Sequence, residues 1–226
     1  MPMHVKTLTT CASLTLLALA SHAAAAEMNL ADLRFGAGVL SNRFSGENHA
    51  TATSGPGSGT TTSSSDSGRN SDHNYRGQIE FVGGHLGDGG GLIYGAGIAV
   101  NQSKFDNGSQ EATATIPVVD IMLGYGYAFT PNWHFEVAPF VGAGRAYYSV
   151  TDHGDTQTSK NWDKYIEFGA RVGTYFTLPG GLQFGVEVPY LIGSYSPDYS
   201  RADGTAVSDK RENRGFGLLV SVGGRF

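Results

Sequence analysis

In the last eleven residues of the chain, 216–226, apolar side chains alternate with small or polar ones with a period of two. The positions between the apolar side chains carry two glycines, a serine and a leucine, together with Arg225. Such alternation is typical of a β-strand whose two faces meet different surroundings. The length matches the roughly 9–11 residues that a tilted strand needs to cross a bilayer. The segment therefore predicts a membrane-crossing strand, with an apolar face formed by Phe216, Leu218, Val220, Val222 and Phe226.

The N-terminal 26 residues have the three parts of a secretory signal peptide. Lys6 supplies a positive charge, residues 8–20 form an apolar core, and alanines at 24–26 provide a small-residue cleavage site. We therefore divide the chain into a cleaved signal peptide, 1–26, and one domain, 27–226. Cleavage removes the only cysteine and leaves a mature chain with more acidic than basic residues. The mature protein is predicted to be exported, free of disulfides and not a partner of nucleic acid.

Seven further segments alternate in the same way and are predicted as strands, which gives eight in all. They cover about 33–39, 75–81, 92–102, 115–129, 133–142, 166–176 and 182–192. The connections between them alternate in length. The short ones contain glycine or proline and fall at 88–91, 130–132 and 179–181. The two longest, 43–74 and 196–213, are polar and are predicted to be loops, of which 43–74 is expected to be mobile and 196–213 is rich in charge.

The two faces of these strands distinguish a membrane barrel from a soluble β-sandwich or lipocalin-like barrel. One face carries large aromatic and aliphatic side chains, and the other is mostly glycine and alanine with scattered charges. Eight strands enclose only enough room for side chains, so the small face fits the inside. In a soluble barrel this small face would point to the solvent. A soluble barrel seldom carries so much glycine there, because glycine weakens strands. The pattern favours a membrane barrel with short periplasmic turns and long extracellular loops.

In its alternation, its strand number and its terminal Phe226, the chain resembles the small eight-stranded barrels of the OmpA/OmpX type, within the broad family of outer-membrane protein β-barrel domains. The resemblance covers 27–226. It implies an all-β, antiparallel, up-and-down transmembrane barrel in the bacterial outer membrane. It also implies outer-membrane lipid, lipopolysaccharide, periplasmic chaperones and the barrel-assembly machinery as partners. The apolar face of the closing strand, ending at Phe226, is then the expected barrel-assembly signal.

Nine charged residues fall on the face that is predicted to line the lumen. They are Arg34, Arg76, Glu80, Asp120, Glu136, Glu167, Arg171, Glu187 and Arg225. An unpaired charge in so narrow an interior is costly, whereas a bidentate pair of arginine and carboxylate is tolerated. We therefore predict an ion-pair network that plugs the lumen, with Arg171 paired to Glu167 or Glu136. A gate or polar path through the barrel is the alternative interpretation.

Arg145 is difficult to place. Strict alternation from Phe135 puts it on the lipid face, where an arginine at the bilayer midplane costs roughly 2–4 kcal/mol. Two arrangements avoid this cost. Either Arg145 lies above the apolar band, or Pro139 introduces a bulge that turns the following residues to the other face.

The sequence contains no clear catalytic constellation. Catalysis needs a nucleophile, a base and an orienting group in one place, and only His153, with Asp152 and Ser159, lies in an outer connection where such a site could form. We predict a non-enzymatic monomer without cofactors or metals. Its segments 43–74 and 196–213 are expected to contact an extracellular ligand, in envelope integrity or adhesion. A small passive porin-like channel is the leading alternative, and a lipid-modifying outer-membrane enzyme is the third.

Overall fold

The computed structural model describes residues 28–52, 61–70, 73–87, 90–106, 110–152, 158–195, 198–200 and 205–226. These residues form strands and tight turns, and none of them belongs to a helix long and apolar enough to cross a membrane. The predicted signal peptide, 1–26, lies outside the described residues, and so does His153.

Ten strands follow one another along the described chain. They are β1 (Met28–Ala52), β2 (Thr61–Asn70), β3 (His73–Leu86), β4 (Gly91–Asp106), β5 (Gln110–Thr130), β6 (Trp133–Asp152), β7 (Thr158–Thr177), β8 (Leu182–Tyr195), β9 (Asp198–Ser200) and β10 (Thr205–Arg225). Strands β2 and β9 lie beside the others as short additions at the loop end.

Eight of these strands close into a barrel. Antiparallel neighbours run in the order β1, β3, β4, β5, β6, β7, β8, β10, and β10 returns to pair with β1. The closing register begins with Asp32 opposite Arg225 and continues without a break to the end of β1. Closure leaves no free sheet edge, as a spanning sheet in lipid requires. The predicted eight-stranded antiparallel barrel is confirmed.

The strands extend further at the loop end than the sequence predicts. Segments 43–74 and 196–213 are predicted from the sequence to be loops, and for much of their length this prediction is wrong. Strand β1 continues to Ala52, where it pairs with both β2 and β10. This part of β1 shows no apolar alternation in the sequence, yet the backbone ladder needs only extended neighbours to continue. Within the two segments, 53–60, 71–72, 196–197 and 201–204 lie outside the described residues.

Tight turns join the strands at the opposite end of the barrel. Gly90 N–H donates to the Gly87 carbonyl at 2.9 Å, and Gly181 N–H donates to the Leu178 carbonyl at 3.0 Å. Gly90 and Gly181 have φ angles of 97° and 89°, which residues with a side chain rarely adopt. The turn end also holds Phe226, whose N–H donates to the Ala31 carbonyl at 3.1 Å. Glycine thus permits the backbone to reverse at two of the three predicted turns, whereas the third, 130–132, contains no glycine.

The large apolar side chains face outward around the barrel. Leu92 is 67% exposed and Val220 is 62% exposed, although both lie in regular strands. The predicted assembly-signal residues share this face, and Phe226 at its end is 86% exposed. So large an apolar surface would be unfavourable in water and is the surface that a hydrocarbon layer covers.

The interior contains apolar clusters in addition to charged residues. One cluster lies at the turn end, another at the loop end, and a third comprises Leu40, Leu191 and Leu219. The expectation of a lumen lined mostly by glycine and alanine was wrong on this point. Inward glycines leave space beside them that these larger neighbours fill: a Cβ at Gly126 would meet Leu86 at 2.9 Å.

Alanine at Gly181 is expected to destabilise the barrel more than alanine at Gly180. Both glycines have positive φ, so each substitution strains the backbone by about 1–2 kcal/mol. A Cβ at Gly181 would also lie 2.6 Å from the Arg225 carbonyl oxygen, whereas one at Gly180 meets open space. Urea unfolding in detergent, followed by tryptophan fluorescence, should give the lower midpoint for G181A. Equal midpoints would contradict the clash.

Candidate functional site

The lumen holds one connected group of polar and charged side chains, called here the lumen network. Each of the eight barrel strands contributes at least one member, because inward positions recur at every second residue. The members fall into three tiers, each built around one arginine. They are Asp32, Arg34, His134, Glu136, Gln183 and Arg225 in the turn-side tier, Gln78, Glu80, Arg171 and Glu187 in the middle tier, and Arg76, Asn101, Asp120 and Glu167 in the loop-side tier.

The turn-side tier is built around Arg34, which is buried. Its guanidinium donates to both carboxylate oxygens of Glu136, from Nη1 to Oε2 at 2.9 Å and from Nη2 to Oε1 at 2.6 Å. His134 Nε2 lies 3.0 Å from Glu136 Oε1. The Arg34 Cζ lies 3.7 Å from the centre of the Tyr175 ring, which covers the planar face of the guanidinium. This geometry is the bidentate pair that makes a buried charge tolerable.

Asp32 joins Arg34 to Arg225 across the closing seam of the barrel. Arg34 Nη2 donates to Asp32 Oδ2 at 2.9 Å, and Arg225 Nε donates to Asp32 Oδ1 at 2.7 Å. Gln183 adds a third donor to Asp32 at 2.8 Å while accepting from Arg34 Nε at 2.9 Å. One carboxylate therefore links strands β1, β8 and β10 through direct hydrogen bonds.

The middle tier places Arg171 between two glutamates. Its Nη1 contacts Glu80 Oε2 and lies 3.4 Å from Glu187 Oε2. Gln78 Nε2 donates to the same Glu187 oxygen at 3.0 Å. Glu80 Oε1 also lies 3.7 Å from Arg34 Nη1, so the middle and turn-side tiers are in electrostatic contact.

The loop-side tier is built around Arg76. Its Nη1 donates to Glu167 Oε1 at 2.8 Å, and its Nη2 donates to Asp120 Oδ2 at 2.7 Å. Glu167 Oε2 accepts further hydrogen bonds from Asn101 Nδ2 and from the Tyr165 hydroxyl, both at 2.9 Å. Arg76 Nε donates to Gln78 Oε1 at 3.1 Å and so connects this tier to the middle one.

The structure places all nine predicted charged residues in the lumen network but pairs Arg171 differently from the prediction. Its partners are Glu80 and Glu187, whereas Glu167 pairs with Arg76 and Glu136 pairs with Arg34. Glu167 and Arg171 lie on one face of the same strand, and four residues of a strand span about 13 Å. Arg171 therefore meets carboxylates that approach from across the lumen and from the neighbouring strand β8.

Several members and neighbours of the network were not predicted from the sequence: the polar residues Gln78, Asn101, His134 and Gln183, together with Asp32, Tyr165 and Tyr175. Asp32 precedes the first predicted strand, and the two tyrosines belong to the aromatic class that the sequence pattern assigns to the lipid face. The last three are informative. All three are buried. The alternation of the strands could have identified them. Asp32 lies two residues from Arg34, and both tyrosines lie an even number of residues from Arg171, so all three share the inward face.

The middle of the lumen contains buried polar atoms without a hydrogen-bond partner in the structure. They include Glu80 Oε1, Glu187 Oε1, Arg171 Nε and the Tyr175 hydroxyl. Donors and acceptors are both present in this group, which is the composition that holds a bridging buried water. No group of three metal-ligating side chains occurs among the described residues.

Arg145 faces outward, and the proposed bulge at Pro139 is wrong. The register between β6 and β7 runs unbroken from Trp133 opposite Phe176, through Pro139 opposite Ala170, to Arg145 opposite Lys164. Alternation thus continues through Pro139, and Arg145 is exposed toward the loop end of β6. Arg145 thus lies above the apolar band, which is the first of the two predicted arrangements.

The two surfaces of the barrel decide the environment in which it lies. Outside, aliphatic and aromatic side chains are exposed along every barrel strand, while the charges of the strand midsections are buried inside. A soluble barrel has the opposite distribution. The architecture is that of an eight-stranded outer-membrane β-barrel.

No family model and no curated protein matches the chain. Similar solved structures include Ail, the attachment invasion locus protein of Yersinia pestis, at 10% identity over 83% of this chain and 99% of that chain, with a TM-score of 0.31. Neisserial surface protein A matches at 12% identity over 86% and 97%, with a TM-score of 0.34. The outer membrane protease OmpT from Escherichia coli matches at 8% identity over 84% and 96%, with a TM-score of 0.30. The assignment of this chain as an outer-membrane barrel rests on the strand register and the two surfaces of this chain.

Replacing Arg171 by alanine is expected to lower the free energy of unfolding by about 3–5 kcal/mol, because Glu80 and Glu187 would remain buried without their cation. The measurement is the urea midpoint of the barrel folded in detergent. Arg145→Ala is the matched control, since this arginine is exposed and its loss should change stability by less than about 0.5 kcal/mol. Equal midpoints for the two variants would show that the middle tier contributes nothing to stability.

Proposed function

We propose that this protein is a non-enzymatic outer-membrane barrel with a sealed lumen, which acts through its extracellular surface in envelope integrity, adhesion or ligand contact. The observation that carries the proposal is the burial of the lumen network. The side chains of Arg34, Glu136 and Glu167 are at most 1% exposed to solvent. Three such tiers in series, together with the apolar clusters, support a lumen that is filled by side chains over its length.

The arrangement of the network supports a structural role for these charges rather than transport. A permeation path keeps its charged groups accessible to water and weakly held, so that an ion can enter and leave. Here each arginine donates to at least one carboxylate. A hydrogen bond links the loop-side tier to the middle tier, and the ion pair of Arg34 with Glu80 links the middle tier to the turn-side tier. Releasing one carboxylate would leave an arginine buried without compensation, which costs several kcal/mol.

We expect no conductance steps from the wild-type barrel in planar bilayers. Removing one carboxylate from each tier, in the variant E136A/E187A/E167A, should produce steps because every tier then loses an acceptor and side-chain volume. Glu136→Ala alone should remain silent, since the middle and loop-side tiers still fill the lumen. Ser221→Ala, also buried in the lumen but outside the network, is the matched control. Retarded migration of unheated samples on gels would establish that each variant is folded.

Regular conductance of the wild-type barrel would refute the sealed lumen and favour a passive porin-like channel. A change in lipid A mass on deletion of the gene would instead favour a lipid-modifying enzyme.

The extracellular segments are proposed as the surface through which the barrel meets its ligand. Beyond the apolar band, β1 pairs with β10 on one side and with β2 on the other, so a sheet projects from the barrel. The residues of this projection are mostly polar in the sequence. It supports contact with another surface better than enclosure of a small molecule.

Deleting residues 50–70 is expected to abolish cell adhesion or ligand pull-down while the barrel still assembles. These residues include the end of β1 and all of β2, which pair with each other outside the eight-stranded barrel. Binding would be measured with whole cells that display either form, after surface labelling has shown equal amounts. Ser221→Ala, whose side chain is buried in the lumen outside both extracellular segments, is the control. Unchanged binding after the larger deletion would move the contact surface elsewhere.

A further inference from the structure

The outward-facing charges of the barrel lie at one end. Within the described side chains, the outward cations are Lys104, Arg145, Lys164 and Arg214, and each lies in the loop-side half of its strand. Glu212, at the same end, is the one outward carboxylate among those side chains. The turn-side half of the described outer face carries no lysine, arginine, aspartate or glutamate. The outer surface is therefore positively charged where the barrel leaves the membrane on the extracellular side.

Two of these cations are direct neighbours. Arg145 on β6 is the cross-strand partner of Lys164 on β7, and both side chains are exposed. Side chains in such a pair have Cβ atoms about 4.5–5.5 Å apart, and like charges at that distance destabilise a sheet. In the described part of the chain no carboxylate forms an ion pair with either residue. The adjacent Asp163 lies at an inward position and belongs to the other face.

The position of this pair along the strands fixes its surroundings. Toward the bilayer, the next outward pair is Ala143 opposite Ile166, and Ile166 is 59% exposed. Toward the exterior, the next outward pair is Tyr147 opposite Trp162, whose ring centroids are 5.1 Å apart. Aromatic pairs of this kind mark the polar boundary of a bilayer. Each step is two residues, or about 7 Å, so the two cations lie at the level of lipid headgroups.

We propose that Arg145 and Lys164 form a binding site for a phosphorylated headgroup of an outer-leaflet lipid. A phosphate placed between them would compensate the repulsion that the fold leaves in place. Arginine offers two parallel donors to phosphate oxygens, and lysine offers a point charge beside it. The apolar surface of Ile166 and Phe168 continues directly below the pair and would receive the acyl chains of the same lipid. That continuity distinguishes a lipid from free phosphate as the occupant.

This site is separate from the lumen network and does not depend on whether the lumen conducts. It shares with the proposed function only the embedding of the barrel in the outer membrane. Failure of the conductance experiment would leave the lipid site standing, and failure of the lipid experiment would leave the sealed lumen standing.

The test is a lipid-binding titration of the full mature chain folded in a zwitterionic detergent. The probes are lipid A with both phosphates, the same lipid A with its phosphates removed, and inorganic phosphate as competitor, with bound lipid counted by native mass spectrometry. The wild-type barrel should prefer the phosphorylated lipid. R145Q/K164Q should weaken binding of that lipid about thirtyfold, since each cation near an anionic lipid surface contributes about fivefold. R145K/K164R, which exchanges the two cations, should retain the preference.

Three results would overturn the proposal. These are equal binding of the two lipids by the wild-type barrel, an unchanged preference in R145Q/K164Q, and competition by inorganic phosphate at the concentration at which lipid A binds. The last result would identify a free-anion site instead of a lipid site. Binding of the two lipids to the wild-type barrel tests the proposal even if R145Q/K164Q does not fold.

Discussion

The pairing of β1 with β10 is the interaction on which the remainder of the structure depends. In a hydrocarbon layer each unpaired backbone N–H or carbonyl costs several kcal/mol, so an open sheet cannot span it. The unbroken register that starts at Asp32 and Arg225 gives every barrel strand two neighbours. Closing only eight strands also fixes a narrow interior, in which side chains from opposite walls meet. The contents of the lumen follow from that closure.

The narrow interior makes the charges interdependent. Arg34 on β1 reaches Glu136 on β6, and Arg76 on β3 reaches Glu167 on β7, so each tier spans the lumen and joins strands that do not pair with each other. A slip of one residue in any strand would turn its inward charge toward lipid. The network therefore favours one register in addition to filling space. Buried ion pairs serve such specificity better than they serve net stability.

The outer surface obeys a different constraint. It needs no specific contacts over most of its height, because hydrocarbon accepts any apolar side chain, and exposed Leu, Ile, Val and Phe residues cover it. At the loop end the surroundings change from acyl chains to headgroups, and there Arg145 and Lys164 appear side by side. A cation that would be costly at the midplane is inexpensive near the interface, where its charge can meet water or phosphate.

The sequence alone determined the strands that cross the membrane, the tight turns and the inward or outward direction of most residues between them, since a period of two reports directly on two unlike surroundings. It assigned Arg34, Arg171 and Glu187 to the lumen without their partners. Pairing depends on strand tilt and closure, which bring residues from distant strands together, so only the tertiary structure decided that Arg171 meets Glu80 and that Asp32 bridges Arg34 and Arg225. The tertiary structure also extended β1 to Ala52, because a backbone ladder can continue where the sequence shows no apolar period.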